Sequence, residues 1–139
     1  MTGHYELKAH TADVAIEARG ATLSEVFGAV ADGLGAAHVD SIPELERKHL
    51  DVAMSAERKA ALLFDYLDRL LYLRDVKSVL PVENDATVTE SDDEWTVKAT
   101  ARGVPVSEID AREVKAITYS EMELREQDDG WYAYVVVDV

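Results

Sequence analysis

The final segment of the sequence constrains the fold more than any other. Residues 132–137 read Tyr-Ala-Tyr-Val-Val-Val, and they follow Asp128-Asp129-Gly130, in which Asp-Gly favours a tight hairpin turn. An apolar strand at the open edge of a sheet invites unwanted pairing, so this strand is predicted to lie inside a sheet. One neighbour is the strand predicted within residues 114–124, across the turn. The other is predicted to be an N-terminal strand.

Apolar residues recur with strand or helix spacing along the rest of the chain. Strands are predicted at residues 4–9, 14–19, 50–54, 79–82, 86–88 and 95–101. Helices are predicted from Thr22 to about residue 36 and from Ser55 to about residue 74. A capping box begins at Thr22, and Ser55 is expected to cap the second helix. Gly33 and Gly35 are expected to end the first.

Two helices among strands, followed by a C-terminal half made of hairpins, are typical of the α+β class. We predict one domain over residues 1–139, with both helices packed on one face of a mostly antiparallel sheet. A chain of 139 residues can bury about two-thirds of the surface that its unfolded form exposes. A hydrophobic core can therefore hold the fold together without disulfides.

The charge balance argues against direct, tight binding to nucleic acid. The chain has 28 Asp and Glu against 14 Lys and Arg, a net charge of -14. Such a surface repels a phosphate backbone. It favours cations or a basic partner protein, although adaptation to a salty cytosol would give the same composition.

Other classes are excluded by what the sequence lacks. There is no cysteine, and the four histidines are scattered, which excludes thiol catalysis and the usual zinc sites. No apolar run approaches the length of a membrane span, and the N-terminus begins with charged, alternating sequence in place of a signal peptide. The protein is predicted to be cytoplasmic, without a membrane partner.

Two acidic residues near the ends of the chain form a candidate cation site. Asp13 closes the polar segment His10-Thr11-Ala12-Asp13 between the first two strands, and Asp138 precedes the last residue, Val139. If the end strands pair, both carboxylates meet beside the terminal carboxylate and offer the oxygen ligands that hard cations prefer. The alternative is that Asp13 stabilises its own turn and Asp138 faces water.

Five segments resemble signature blocks of the archease family and occur in the same order. They are His10-Thr11-Ala12-Asp13, Thr22-Leu23 with Glu25-Val26-Phe27, residues 67–73 (Leu-Asp-Arg-Leu-Leu-Tyr-Leu), residues 115–119 (Lys-Ala-Ile-Thr-Tyr) and Asp138-Val139. Each block is too short to be specific alone, but their joint order along one small domain is not expected by chance. Three positions depart from the family pattern: Ser120, Val104 and Asp68 stand where His, Glu and Asn are common.

The resemblance implies an archease-like α+β domain and a non-catalytic function. It implies that the protein activates the RtcB-type RNA-splicing ligase, promoting guanylylation of the ligase by GTP and its multiple turnover in tRNA splicing. The resemblance also implies a divalent cation, calcium or another, bound by Asp13, Asp138 and the main chain of Val139.

Four further residues are candidates for contact with the partner or support of the metal ligands. They are His10, Lys115, Thr118 and Tyr119. For His10 the alternative is a turn histidine that bonds to backbone. For the other three it is that they are ordinary strand residues.

Two other functions stay open. The first is metal-assisted hydrolysis by the paired carboxylates, although the chain offers no positioned nucleophile and no phosphate-binding glycine loop. The second, which the family suggests, is a chaperone-like modulator of an RNA-modifying enzyme such as a tRNA methyltransferase.

Overall fold

The computed structural model describes residues 3–10 and 13–139, and for residues 8–10 it describes the backbone alone. The elements are β1 (His4–His10), β2 (Asp13–Gly20), α1 (Leu23–His38), β3 (Lys48–Ala56), α2 (Lys59–Lys77), β4 (Val79–Ser91), β5 (Glu94–Pro105), a short 3-10 turn (Val106–Glu108), β6 (Ala116–Gln127) and β7 (Gly130–Asp138). The predicted α+β class is confirmed, since every strand pair is antiparallel and two helices pack against the strands.

The strands form two sheets. The four-stranded sheet has the order β1-β2-β7-β6, and the three-stranded sheet has the order β3-β5-β4. The last strand, β7, lies between β2 and β6, as its apolar sequence predicts. The hairpin predicted at Asp128-Asp129-Gly130 forms between β6 and β7, with Gly130 at a φ of 143°. A further hairpin joins β4 to β5, with Asp92 and Asp93 in the left-handed region at its turn.

The two helices lie between the sheets. One buried cluster joins Ile16 and Val135 of the four-stranded sheet to Val97 of the three-stranded sheet, through Phe27 of α1 and Leu67 of α2. The sequence predicts helices on one face of a sheet, and the structure adds a second sheet on their other side. This explains why α1 is buried on nearly all sides.

The helix boundaries differ from the prediction in two places. Helix α1 continues through Gly33 and Gly35 to His38, so neither glycine ends it. Helix α2 begins at Lys59, while Ser55 lies in β3 and its hydroxyl bonds to the Thr96 hydroxyl at 2.8 Å. The prediction that Ser55 caps α2 is therefore wrong, because strand pairing with β5 extends past it.

The outer edge of β4 is covered by α1. The backbone N–H groups of Asn84 and Val88 donate to the side chains of Asp32 and Ser24, each at 2.8 Å. Pro81 lies in this edge strand beside a bulge, a position that tolerates its missing N–H group. None of the helices in the described part of the chain is both long and apolar enough to cross a membrane.

Candidate metal site and partner surface

The pairing of β2 with β7 brings the two ends of the chain together. Val14 lies opposite Val137, and Ala15 lies opposite Val136. Extending this register by one step sets Asp13, the first residue of β2, against Asp138, the last residue of β7. Side chains that oppose each other in an antiparallel pair are about 5 Å apart at Cβ and project from the same face.

Both aspartates project from the outer face of the four-stranded sheet. Val14 and Val137 belong to the core between the sheets, and side chains alternate along a strand. Asp13 and Asp138 therefore face away from the core. Asp138 is exposed and Asp13 is half-buried, so a bound ion would have water on one side.

The main chain at this end is held in place from two directions. The Lys115 N–H donates to the carbonyl oxygen of Asp138 at 2.7 Å. The Val139 side chain packs against the main core. The oxygen atoms around Asp138 and Val139 are thus fixed by contacts that do not use the Asp138 carboxylate.

The donor set at this site consists of oxygen only. Two carboxylates and main-chain oxygens suit a hard divalent cation, with water completing the shell. In the part of the chain that the structure describes, no three His, Asp or Glu side chains cluster closely enough to form a metal site. Asp13 and Asp138 with Val139 therefore supply a small, open set of ligands and not a closed cage.

His10 is paired with Asp13 in the register of β1 and β2. Its side chain, like Thr11 and Ala12, lies outside the described residues. The prediction of a role for His10 as a ligand or partner contact stays a prediction.

The other three candidate residues fall on two different faces. Lys115 is exposed and bonds to Asp138 through its backbone, and Thr118 lies opposite Val136 on the outer face that carries the aspartates. Tyr119 turns towards α2, where its ring meets Phe64 edge-on at 5.3 Å, and 44% of it stays exposed. Lys115 and Thr118 are therefore neighbours of the candidate metal site, whereas Tyr119 lies on the α2 side of the sheet.

Sequence reasoning missed two neighbours of this surface. Ala116 lies opposite Asp138 in the β6–β7 register, and Phe64 supports Tyr119. The small side chain of Ala116 leaves space beside Asp138. The only sequence signal for the second contact is that residues 64 and 119 are both aromatic. They meet because α2 lies next to β6, which the spacing of residues along the chain does not reveal.

The far end of the same face carries paired charges. Arg19 pairs with Glu17, and Arg125 pairs with Glu123. Arg19 and Arg125 lie over the Tyr132 ring at 4.9 and 4.4 Å, and the Tyr132 hydroxyl donates to Glu17 at 2.9 Å. Burial and this hydrogen bond raise the pKa of Tyr132. The two arginines at this end are therefore balanced by two glutamates, and the far end is not a positive counterpart to Asp13 and Asp138.

Comparison with known proteins decides the family. Residues 5–139 match the Archease protein family (MTH1598/TM1083). The chain belongs to the archease family. Among its relatives in that family, the protein archease of Methanosarcina acetivorans is 35% identical, covering 97% of this chain and 95% of that protein. The protein archease of Pyrococcus furiosus is 34% identical, covering 98% and 96%.

Solved structures of archeases agree with the fold described above. The solution structure of Methanobacterium thermoautotrophicum protein 1598 superimposes with a TM-score of 0.81 at 29% identity, covering 97% of this chain and 98% of that one. The crystal structure of a Thermotoga maritima archease, described as a possible chaperone, gives a TM-score of 0.62 at 20% identity, with 98% and 100% covered. The resemblance to archeases seen in the sequence is confirmed.

Proposed function

We propose that this protein is a non-catalytic activator of an RtcB-type RNA-splicing ligase and acts in the cytoplasm. It promotes guanylylation of the ligase by GTP and allows multiple turnover during tRNA splicing. In this proposal it carries a divalent cation, calcium by preference, at Asp13, Asp138 and the main chain of Val139.

One observation supports the cation site above all others, namely the register that sets Asp13 opposite Asp138 at the joined ends of β2 and β7. The two carboxylates belong to strands from opposite ends of the chain, so folding creates their proximity. They lie next to Lys115 and Thr118, on a face with an acidic end. Family membership supports the ligase as the partner.

The chain's own residues have separate tasks at this site. Asp13 and Asp138 supply negative charge, and the Lys115 N–H holds the Asp138 main chain in place. A hard cation, when bound, supplies positive charge with exchangeable positions that suit phosphate or carboxylate oxygens. Tyr119, half exposed on Phe64, offers an aromatic contact to the ligase.

Neutral variants of the two aspartates test whether the cation site is needed for stimulation of the ligase. Asp13→Asn and Asp138→Asn each remove one anionic ligand. We expect calcium affinity to fall about tenfold or more, because even the loss of a residue that only supports a metal ligand costs about 10- to 100-fold. Stimulation of ligase guanylylation should fall with it, and EDTA should reproduce the loss in the unmodified protein. Calorimetry with calcium and single-turnover guanylylation of the cognate ligase with GTP measure the two effects.

Asp128→Asn is the matched control, because Asp128 precedes the opposite end of β7 and lies outside the site. It should keep both calcium binding and stimulation. Full stimulation by a double Asp13→Asn, Asp138→Asn variant would remove the cation from the proposed mechanism. Failure of the unmodified protein to stimulate the ligase would reject the ligase itself.

The description of the Thermotoga maritima archease as a possible chaperone supports a second candidate. In it, this protein prevents aggregation of an RNA-modifying enzyme, such as a tRNA methyltransferase, or shapes its specificity. Purification from the native host distinguishes the two. Recovery of the ligase with GTP-dependent stimulation favours activation, and recovery of a methyltransferase without ligase favours the chaperone function.

A further inference from the structure

The two edges of the three-stranded sheet differ. The outer edge of β4 is covered by α1, whose Ser24 hydroxyl accepts from the Val88 N–H. The opposite edge is β3 (Lys48–Ala56), with its nine residues paired to β5 alone in the sheet. The directions of the β3 backbone groups follow from the register.

The N–H of Val88 points away from β5, so its pair with Val97 is one that exchanges no hydrogen bonds. Val97 then directs its backbone groups to the other side, towards Met54 of β3. Because backbone direction alternates along a strand, Ala53 and Ser55 direct theirs outward from the sheet. The same alternation applies to His49 and Asp51.

These four outward N–H groups have no hydrogen-bond partner within the residues that the structure describes. A row of free donors and acceptors on an edge strand is a template for a further strand. Native proteins usually cover or interrupt such an edge. Here Lys48 lies at its start, but no proline or bulge interrupts the pairing from Lys48 to Ala56.

A groove runs beside this edge. It has a volume of about 510 Å³ and lies between Met54 of β3 and the exposed face of α2 formed by Asp65, Asp68, Arg69 and Tyr72. We call it the β3–α2 groove. Tyr72 is 55% exposed there and presents its ring to solvent. The groove is large enough for several side chains of a peptide.

The charge of the groove selects its occupant. The carboxylates of Asp65 and Asp68 have no ion-pair partner in the described chain, while Arg69 is placed over the Tyr72 ring at 5.7 Å. A Lys or Arg side chain entering the groove can lay its aliphatic stem along Tyr72 and Met54 and bring its charge to the two aspartates. The net charge of -14 attracts a basic segment over a longer range.

We propose that the β3–α2 groove binds an extended, basic segment of a partner protein, which joins the three-stranded sheet as a fourth strand beside β3. The backbone of the segment bonds to the outward groups of His49, Asp51, Ala53 and Ser55. Every second side chain faces α2, and there Lys or Arg meets Asp65 and Asp68. Edge-strand addition next to a helix is an established mode of peptide recognition. This site is separate from Asp13 and Asp138 and does not depend on the proposed ligase activation.

The test uses a synthetic peptide of about nine residues, the length of a typical long strand, in which Lys alternates with Val or Thr. We expect saturable one-to-one binding by calorimetry. Hydrogen exchange followed by NMR should show at least tenfold slower exchange on binding at the amides of His49, Asp51, Ala53 and Ser55. A peptide with Glu in place of Lys should bind at least tenfold more weakly.

Two variants separate the backbone and charge contributions. Ala53→Pro removes one outward donor without touching the bonds to β5, and it should weaken peptide binding at least tenfold. The double variant Asp65→Asn, Asp68→Asn changes only exposed side chains of α2, and it should also weaken peptide binding at least tenfold. It keeps the proposal testable if the proline variant unfolds. Asp85→Asn, on the distant strand β4, is the control and should bind like the unmodified protein.

Three results would overturn the proposal. The first is equal binding of the Lys and Glu peptides, and the second is binding without protection of the four outward amides. The third is protection of those amides that grows with protein concentration alone, together with a doubled mass in sedimentation, since the edge would then pair with a second copy of the chain.

Discussion

Acidification from pH 7 to pH 4 should remove up to about 3 kcal/mol of folding stability through a single residue, His38. His38 is the last residue of α1 and is only 1% exposed. Its Nδ1–H donates to the Leu34 carbonyl at 2.8 Å, and its Nε2 accepts from the Arg74 guanidinium at 2.8 Å. In this tautomer no ring nitrogen is left to take a proton without breaking the bond from Arg74.

Burial is the main reason why the pKa of His38 falls from 6.5 to about 4. The hydrogen bond to Leu34 works in the other direction, and the charges of Arg74 and Arg112 lower the pKa further. The unfolded chain therefore binds a proton between pH 6.5 and 4 that the folded chain does not bind. The stability is fully present above pH 6.5 and is lost as the pH falls to about 4.

His38→Gln removes this titration while keeping one donor and one acceptor on the side chain. The variant should be less stable at pH 7, and its free energy of unfolding should converge on that of the unmodified protein as the pH falls, measured by urea unfolding between pH 7 and 4. His49→Gln, at an exposed histidine of β3, controls for the loss of an imidazole as such and should keep the stability of the unmodified protein at pH 7. If the free energies of unfolding of His38→Gln and the unmodified protein changed in parallel between pH 7 and 4, His38 would not be the source of the acid sensitivity.

The comparison between variants is needed because a second group, the half-buried Asp32, changes the stability in the opposite sense as the pH falls. Burial raises the pKa of Asp32 above 3.8, against the hydrogen bonds from Asn84 that lower it. The folded protein gains stability as Asp32 takes up its proton at low pH. The pH dependence of the unmodified protein is therefore a sum of opposing effects. The difference in free energy of unfolding between His38→Gln and the unmodified protein isolates the contribution of His38.

The sequence predicted those features that depend on a strand's own composition. The apolar run at residues 132–137 predicted a central strand, and that strand pairs with β2, whose first residue is Asp13. The division of the strands into two sheets could not be predicted, because alternation along a strand does not say which sheet it joins. The β3–α2 groove could not be predicted for the same reason. Asp65 and Asp68 read as an ordinary exposed helix face, and only the position of β3 beside α2 makes them part of a groove.

Local signals failed where a long-range contact overrides them. Ser55 has the side chain of a helix cap, but pairing of β3 with β5 keeps it in a strand, and α2 starts at Lys59 without a side-chain cap. Gly33 and Gly35 are typical of a helix end, yet both lie inside α1. Their role is close packing, because a Cβ at Gly33 would lie 2.6 Å from the Ile16 side chain.

Gly35→Ala should destabilise the fold by about 1–3 kcal/mol, the usual cost of an overpacked interior position. A Cβ at this position would lie 2.6 Å from the Pro81 carbonyl oxygen and 3.3 Å from the Val82 Cα. Both are backbone atoms of β4, so the contact is relieved only if α1 and β4 move apart. That movement would disturb the packing which covers the β4 edge.

Gly28→Ala is the matched control, and it should raise the free energy of unfolding where Gly35→Ala lowers it. Gly28 lies two helical turns earlier on the same side of α1, and its added Cβ would be 3.5 Å from the Asn84 carbonyl oxygen, an ordinary contact. Both substitutions gain the same helix propensity, about 1 kcal/mol, so the difference between them measures packing against β4 alone. Urea unfolding at pH 7 should show Gly28→Ala stabilised by up to about 1 kcal/mol and Gly35→Ala destabilised. Equal effects of the two would mean that α1 does not approach β4 most closely at Gly35, and that this glycine is present for a reason other than packing.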